Sequence, residues 1–439
     1  MSVPKYRPKR SNNIQVRPFG ALFQRRVCMS ISPLAPDSFP DMPPIGGLSL
    51  ATAASGMKYQ GRDDMLLMRS IADSHFAGLF TQSDTAAAPV QWCQDRLAQA
   101  LCQSRPAAIL TNAGNANAFT GSKGHLATMA TADALAKAGH IDKDAILLAS
   151  TGVIGEPLDT DCLAAQIPHL LADDKASWHD AAKAIMTTDT FAKGATSTCQ
   201  LDGKQVTICG IAKGSGMIAP DMATMLGYIA TDAAISPDML LHILRRANAQ
   251  SFNAITVDSD TSTNDSVFAI ATGVAGNDEI TSEAHTDFNH LYHAIKTVML
   301  DLAKQIVRDG EGTQKLITID ILGADNDSDA YKIGMSVANS PLVKTAVAGC
   351  DANWGRIVMA VGKAGIGIDQ NVIGVRIGGF DVALAGQRVE NFDETPVATH
   401  MQGQNIDIAV SVGTGSGTAR VYTCDLTHGY ISINADYRS

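Results

Sequence analysis

Along the chain, short apolar stretches of strand length alternate with longer segments of helical periodicity, and glycine, proline and polar residues separate them. Short apolar runs favour buried strands, whereas apolar positions three and four residues apart favour helices. These patterns predict strands at 48–52, 65–68, 77–81, 108–112, 145–151, 198–201, 204–208, 224–231, 316–322, 372–378, 405–412 and 431–439. They predict helices at 89–102, 124–138, 177–187, 236–250 and 282–308, and a helix-rich stretch over 327–364. The mixture indicates an α/β fold.

Two glycine-containing turns separate predicted strands. Asp202-Gly203 is a two-residue signal typical of a tight β-hairpin. The loop 413–417 (GTGSG) has the glycine content of a phosphate-binding loop, but no Gly-Lys-Ser/Thr ending follows it and no βαβ pattern surrounds it. We therefore predict a hairpin loop there and no nucleotide site.

The first 36 residues are rich in arginine and proline and show no apolar periodicity, so a basic extension outside the fold is predicted over 1–40. An excess of arginine without acidic residues is typical of mitochondrial import signals, which would place the protein in the matrix. Pro4, Pro8 and Pro18 disfavour the amphipathic helix of such a signal. A bacterial start at Met29 and a cytoplasmic location are the favoured interpretation.

The composition narrows the possible functions. A chain of 439 residues with 45% apolar residues, 5% aromatic residues and 38 glycines suits a compact α/β protein of two or three structural units. No apolar run reaches the roughly 18 residues of a membrane span, so no membrane partner is expected. The net charge of −10, with no basic stripe in the body of the chain, disfavours nucleic acid as a partner.

Cysteines and histidines give no indication of a metal site. The eight cysteines are scattered without a Cys-x-x-Cys pair, which favours reduced thiols. Asp287, His290 and His293 share one face of the predicted helix 282–308, where a solvated face is favoured over a metal site. The polar tract 258–265 (DSDTSTND) lacks the glycine and the last acidic residue of a calcium loop, so no metal is predicted there.

The most informative stretch is 213–226 (KGSGMIAPDMATML), a polar glycine loop that leads into an apolar segment. Its Thr224 follows the small Ala223, where the hydroxyl is placed to attack the preceding carbonyl in an N-to-O acyl shift. After cleavage of that bond, Thr224 carries both a hydroxyl and an α-amine with a pKa of about 7.7, which together form a nucleophile and its base. A threonine at the start of a strand is otherwise ordinary.

A second candidate lies at the end of the predicted strand 145–151. Thr151 and Gly152 present a hydroxyl and a backbone N–H side by side, which is the equipment of an oxyanion hole. A simple turn from strand to helix is the alternative. A Ser-His-Asp hydrolase is disfavoured, because the chain has no Gly-x-Ser-x-Gly elbow.

Over roughly residues 46–439, these segments resemble the ornithine acetyltransferase family, the self-processing glutamate N-acetyltransferases of arginine synthesis. The resemblance rests on the glycine loop with Ala223-Thr224, on NAGNANA (112–118), on STGVIGEP (150–157), on the polar tract 258–265, on the loop with Glu311 and on the C-terminus. Three positions depart from the family pattern: Phe119 replaces a small residue or cysteine, Asp221 replaces asparagine and Ser439 replaces threonine.

The resemblance implies an α/β/β/α sandwich of the N-terminal-nucleophile type with a smaller C-terminal α/β domain from about 327. It implies cleavage between Ala223 and Thr224 into an α chain (41–223) and a β chain (224–439) that stay together as α2β2. Thr151 and Gly152 would form the oxyanion hole. The substrate contacts implied are Thr187, Lys213, Thr224, Glu311, Asn434 and Ser439. A lysine suits the α-carboxylate of an amino acid and a glutamate suits its δ-ammonium group.

The implied activity is transfer of the acetyl group from N2-acetylornithine to glutamate through acetyl-Thr224, without cofactor or metal. The sequence leaves open whether acetyl-CoA also serves as donor. Two alternatives remain: an N-terminal-nucleophile amidase or aminopeptidase that transfers the acyl group to water, and an uncut, non-catalytic sensor of acetylated amino acids.

Overall fold

The structure, a computed structural model, describes residues 30–98, 107–219 and 225–435. Its strands, in chain order, are β1 (Leu48–Ala53), β2 (Met65–Ser70), β3 (His75–Phe80), β4 (Ala108–Asn115), β5 (Ile146–Val153), β6 (Lys193–Leu201), β7 (Lys204–Lys213), β8 (Leu226–Thr231), β9 (Ser266–Ala271), β10 (Leu316–Ala324), β11 (Gly374–Ile377), β12 (Phe380–Leu384), β13 (Gln387–Arg388), β14 (Asn405–Ser411) and β15 (Gly417–Cys424).

Its α-helices are α1 (Ala88–Ala98), α2 (Ser122–Gly139), α3 (Thr160–Ala172), α4 (Trp178–Ala184), α5 (Pro237–Asn248), α6 (Phe288–Arg308), α7 (Asp327–Ala338), α8 (Pro341–Ala348), α9 (Trp354–Gly362), α10 (Thr395–Met401) and α11 (His428–Asn434). None of the described helices is both long and apolar enough to cross a membrane.

Two β-sheets pack face to face between two layers of helices. One sheet has the strand order β1-β2-β4-β5 and the other β3-β9-β8-β7-β6. Helices α2 and α3 share a buried apolar cluster with the first sheet and with one face of the second. Helices α5 and α6 share another cluster with the opposite face of the second sheet. This arrangement confirms the predicted α/β/β/α sandwich.

Strand β8 shows how the sequence produces these layers. Successive side chains of a strand point to opposite faces. Tyr228 accordingly lies in the cluster between the sheets, whereas its neighbour Ile229 lies in the cluster under α5 and α6. The buried phenol is satisfied by Thr111 of the facing sheet, with 2.6 Å between the two hydroxyl oxygens. A hydrogen bond of this kind removes the cost of burying two polar groups.

The C-terminal part forms its own sheet, with the order β13-β12-β11-β14-β10-β15, covered by α7, α9 and α10. The prediction of a hairpin at 413–417 was wrong, because β14 and β15 do not pair with each other: β10 lies between them, parallel to β14 and antiparallel to β15. The loop crosses the end of β10 so closely that a Cβ at Gly323 would lie 2.2 Å from the Gly413 carbonyl oxygen. The glycines of this loop therefore allow its backbone to pack closely against the end of β10.

Two further local predictions had opposite outcomes. The hairpin at Asp202-Gly203 is confirmed: β6 and β7 pair antiparallel, and both turn residues have positive φ angles of 48° and 68°. The predicted strand 431–439 was wrong over its described part, because residues 431–434 lie in helix α11, whose first turn is capped by the Thr427 hydroxyl accepting from Gly429 N. The alternation of Ile431 with polar neighbours does not reflect burial, since Ile431 is 65% exposed.

The predicted domain organisation lies only partly within the described residues. Residues 1–29 of the predicted extension are not described, whereas the described residues from Ile31 onward form one compact unit. The residues 31–40, which the sequence assigns to the extension, belong to this unit; Ser32 Oγ, for example, donates to Arg308 O at 2.5 Å. The C-terminal sheet begins at Leu316, and the division near 327 stays a prediction.

Candidate active site

One cleft gathers most of the side chains predicted to act on a substrate. It has a volume of about 160 Å³ and lies where the ends of β5 and β7 meet the polar tract 258–265, the Glu311 loop and α11. The predicted site residues that line it are Thr151, Gly152, Thr187, Lys213, Glu311 and Asn434. Residues more than 280 positions apart in the chain are thus brought to a single site, as the resemblance implied.

The remaining predicted residues, Ala223, Thr224 and Ser439, lie outside the described residues. Both flanks of the segment 220–224 are nevertheless anchored beside the cleft. On one side, Met217 and Ile218 donate their backbone N–H groups to the two carboxylate oxygens of Asp258, at 2.7 and 2.9 Å. On the other side, Met225 N donates to Asp265 Oδ1 at 2.7 Å.

Gly152 adopts a conformation that no other residue fits. It lies next to the last residue of β5, opposite Gly114 of β4, and has a φ of 130°, in the region that favours glycine. A Cβ at this position would lie 2.3 Å from the Gly114 carbonyl carbon. The glycine therefore allows the backbone to pass close to β4 directly after Thr151, and both Thr151 and Gly152 line the cleft.

Lys213 occupies the floor of the cleft at the end of β7. The residue is 4% exposed, and its Nζ donates to Thr151 Oγ1 at 3.2 Å. Burial lowers the pKa of Lys213, although Asp189 acts in the opposite direction. An ammonium group has three donors. Since Thr151 is its single hydrogen-bond partner within the described parts of the chain, donors remain for an anionic group of a ligand.

Glu311 supplies the complementary charge. Its loop is held by a backbone bond from Glu311 N to Ser215 O at 3.1 Å, and its carboxylate packs on Gly216, where a Cβ would lie 2.5 Å from Cδ. Asn434 Nδ2 donates to Oε2 at 2.7 Å. Burial raises the pKa of Glu311, while the Asn434 bond lowers it; the raising effect prevails. A cationic and an anionic group in one small cleft suit a zwitterionic amino acid.

The sequence predicted that the polar tract 258–265 lines the cleft, but it did not predict the hydrogen bonds that Asp258 makes to the glycine loop and to α11. The residues of 258–265 that line the cleft are Asp258, Asp260, Ser262, Thr263 and Asn264, in agreement with the predicted cleft loop. Asp258 bonds the backbone of the glycine loop, and Tyr430 of α11 donates its hydroxyl to Asp258 Oδ2 at 3.1 Å. Tyr430 gave no sequence signal, because it was assigned near a strand that turned out to be a helix.

The sequence model described as the ArgJ family matches residues 49–439. The chain is similar to the arginine biosynthesis bifunctional protein ArgJ of Zymomonas mobilis, with 50% identity over 410 residues that cover 93% of this chain and 99% of the relative. It is 49% identical to the protein of the same name from Gluconobacter oxydans over 412 residues, which cover 94% of this chain and 96% of that relative.

Two solved structures were also matched. One is arginine biosynthesis bifunctional protein ArgJ from Bacillus halodurans, with 39% identity, a TM-score of 0.47, and coverage of 48% of this chain and 98% of that chain. The other is the ornithine acetyltransferase of Mycobacterium tuberculosis in complex with ornithine, with 31% identity, a TM-score of 0.32, and coverage of 40% and 92%.

Proposed function

The chain belongs to the ArgJ family, and from that premise we propose that it transfers the acetyl group of N2-acetylornithine to glutamate through an acetyl ester of Thr224. The chain is an acyltransferase of arginine biosynthesis. Ornithine and N-acetylglutamate are the proposed products. The observation that carries the proposal is the cleft itself, which combines Thr151 and Gly152 with Lys213 and Glu311 beside the anchored flanks of 220–224.

We propose that the chain first cleaves itself between Ala223 and Thr224. The Thr224 hydroxyl attacks the Ala223 carbonyl, the amide becomes an ester, and water hydrolyses that ester. The products are a chain that ends at Ala223 and a chain whose first residue is Thr224. The two backbone anchors at Asp258 and Asp265 support this step, because they hold the chain on both sides of the bond that must be distorted.

Acetyl transfer then follows in two steps. The Thr224 α-amine accepts the hydroxyl proton while Oγ1 attacks the acetyl carbonyl, and the proton passes to the departing ornithine nitrogen. The oxyanion that forms is held by the Thr151 hydroxyl and the Gly152 N–H. The glutamate amine next attacks the acetyl ester, and the Thr224 hydroxyl is restored. In this scheme Lys213 receives the substrate carboxylate and Glu311, supported by Asn434, receives the δ-ammonium group, with Thr187 and Ser439 as further contacts.

The two proposed chains would remain associated after cleavage. In the five-stranded sheet, β8 pairs with β7, and β9 pairs with β3, so the two strands downstream of the proposed cleavage point lie between strands from upstream of it. Separation would break these ladders and expose the cores on both faces of the sheet. We accordingly propose an α2β2 assembly, acting in the cytoplasm on small-molecule substrates without a cofactor.

The proposal is tested by supplying purified protein with N2-acetylornithine and glutamate and measuring N-acetylglutamate and acetate separately. We expect N-acetylglutamate as the main product; a parallel assay with acetyl-CoA as donor tests the second activity that the relatives' name suggests. Release of acetate without N-acetylglutamate would assign the chain to the amidase alternative. An intact chain that binds acetylornithine without turnover would identify a sensor.

The substitution Glu311→Gln is expected to lower kcat/KM for acetylornithine by about 10- to 100-fold, because a charge-assisted hydrogen bond contributes roughly 1.5–3 kcal/mol. Self-cleavage should persist, since it uses no charge at this position. The matched control is Glu390→Gln, which changes an exposed glutamate of the C-terminal sheet region. Unchanged kinetics in the Glu311 variant, or loss of cleavage, would show that Glu311 is a structural residue of its loop.

A further inference from the structure

Lys193 carries a charge in the interior of the protein beside the cleft. Its Nζ lies 2.6 Å from Asp189 Oδ1 and 2.6 Å from Asp309 Oδ2, and all three side chains are 0% exposed. Burial alone would lower the pKa of Lys193, but the two carboxylates outweigh burial and raise it. Ionic groups in a dry interior contribute little to stability compared with apolar residues of the same size. The cluster therefore calls for a functional explanation.

Asp189 connects this cluster to one side of the cleft. Its Oδ1 accepts the backbone N–H of Gly214, the residue after Lys213, at 2.6 Å. Its Oδ2 accepts the N–H of Thr187 at 3.0 Å. One carboxylate thus holds the backbone beside Lys213, which is proposed to receive the substrate carboxylate, and at Thr187, a further proposed contact.

Asp309 connects the same cluster to the other side. It accepts the backbone N–H of Thr190 at 2.9 Å and the hydroxyl of the same residue. It stands at the end of α6, two residues before Glu311, and directly precedes the tight loop that presents this carboxylate to the cleft. A shift of Asp309 would therefore move Glu311 relative to Lys213.

We infer that Lys193 is a positioning residue that selects the length of the amino-acid substrate, because it ties the Lys213 side of the cleft to the Glu311 side. The inference rests on the proposed function. Both carboxylates bond to the Lys193 ammonium group. This arrangement holds constant the distance between Lys213, which would bind the substrate carboxylate, and Glu311, which would bind its distal ammonium group. A substrate with one methylene more, such as N2-acetyllysine, then fits less well than N2-acetylornithine.

The test is the ratio of kcat/KM for N2-acetylornithine to that for N2-acetyllysine, which does not depend on the fraction of active protein. One methylene group in a shaped pocket is worth about 10- to 200-fold in discrimination. We expect a ratio in this range for the unchanged protein, and Lys193→Met should lower it at least about fivefold. Cleavage into two fragments should persist.

Two further variants keep the test decisive. Since Lys193→Met leaves two buried carboxylates without their partner, Lys193→Met/Asp309→Asn removes one of these charges and should fold better, yet keep the reduced ratio. Lys315→Met changes another buried lysine, which bonds Val347 O and Met401 O in the C-terminal part, and should leave the ratio unchanged.

The outcomes separate the inference from the proposed function. If the unchanged protein does not turn over acetylornithine, the proposed function fails before any variant is made. If it does, and a folded Lys193→Met or double variant keeps the original ratio while losing only thermal stability, Lys193 is a structural residue and the inference is overturned. A lowered ratio in the Lys315→Met control as well would also overturn it, because the effect would then be general destabilisation.

Discussion

Replacing Thr224 with alanine is expected to give a single uncut chain without acetyl transfer. The substitution removes the hydroxyl that attacks the Ala223 carbonyl, so the α-amine of residue 224 is never released. Nucleophile and base are therefore lost together, and the rate should fall by at least about 10⁴-fold. A denaturing gel, intact mass measurement and the N-acetylglutamate assay check this expectation.

Two controls make the result specific. Thr224→Ser keeps a hydroxyl and should still be cut, with a measurable rate of transfer. Thr297→Ala removes a hydroxyl that bonds His293 O on the outer surface of α6, and should change neither cleavage nor rate. Two fragments from the Thr224→Ala protein, or a downstream fragment of the unchanged protein that starts at a residue other than Thr224, would refute the assignment of the nucleophile.

The individual strands were predictable because their signals are local, whereas the sandwich and the substrate contacts were implied by the family resemblance. Apolar runs such as 108–112 and 145–151 became the buried strands β4 and β5. Thr151 was a candidate from its position near the end of a predicted strand, whereas Lys213 and Glu311 were implied as substrate contacts by the resemblance. The hairpin at Asp202-Gly203 follows from two residues that tolerate positive φ angles.

What the sequence did not show depends on contacts between distant segments. Lys193 and Asp309 are separated by 116 positions, and neither residue type nor spacing indicates that one ammonium group joins two carboxylates. Strand β10 separates β14 from β15, although the intervening loop has the composition of a hairpin turn. The helix α11 was predicted as a strand because apolar alternation was taken for burial, while its capping threonine lies outside the apolar stretch.

The five-stranded sheet, which contains strands from both sides of the proposed cleavage point, suggests that folding precedes cleavage. In the proposed scheme, the N-terminal amine of residue 224 does not exist before cleavage, and the folded sheet holds β8, which begins directly after the flanking residue Met225, next to Lys213. Because β8 pairs with β7 upstream and β9 downstream, the sheet can form first and retain its order afterwards. Under the proposed mechanism, the nucleophile would thus be generated only in a chain that has already folded.

The substitution Thr151→Val should lower kcat for acetyl transfer by about 10²–10³-fold, the usual cost of removing one oxyanion-hole donor. Valine keeps the shape of the side chain at this buried position, which is 6% exposed, and removes the hydroxyl that Lys213 Nζ contacts at 3.2 Å. KM for acetylornithine should change much less than kcat, because the oxyanion is present only during reaction. Self-cleavage should slow as well, since the same oxyanion hole is proposed to serve that step.

The matched control is Ser150→Ala, which removes the neighbouring hydroxyl of the same strand. Successive side chains of β5 point to opposite faces, and Ser150 Oγ donates instead to Asn112 Oδ1 at 2.6 Å. This variant should lose roughly 0.5–1.5 kcal/mol of unfolding free energy and keep kcat within a fewfold of the original. If Thr151→Val retained the original kcat while Ser150→Ala behaved as expected, the Thr151 hydroxyl would serve only to satisfy Lys213, and the oxyanion would have to be held by Gly152 and other donors.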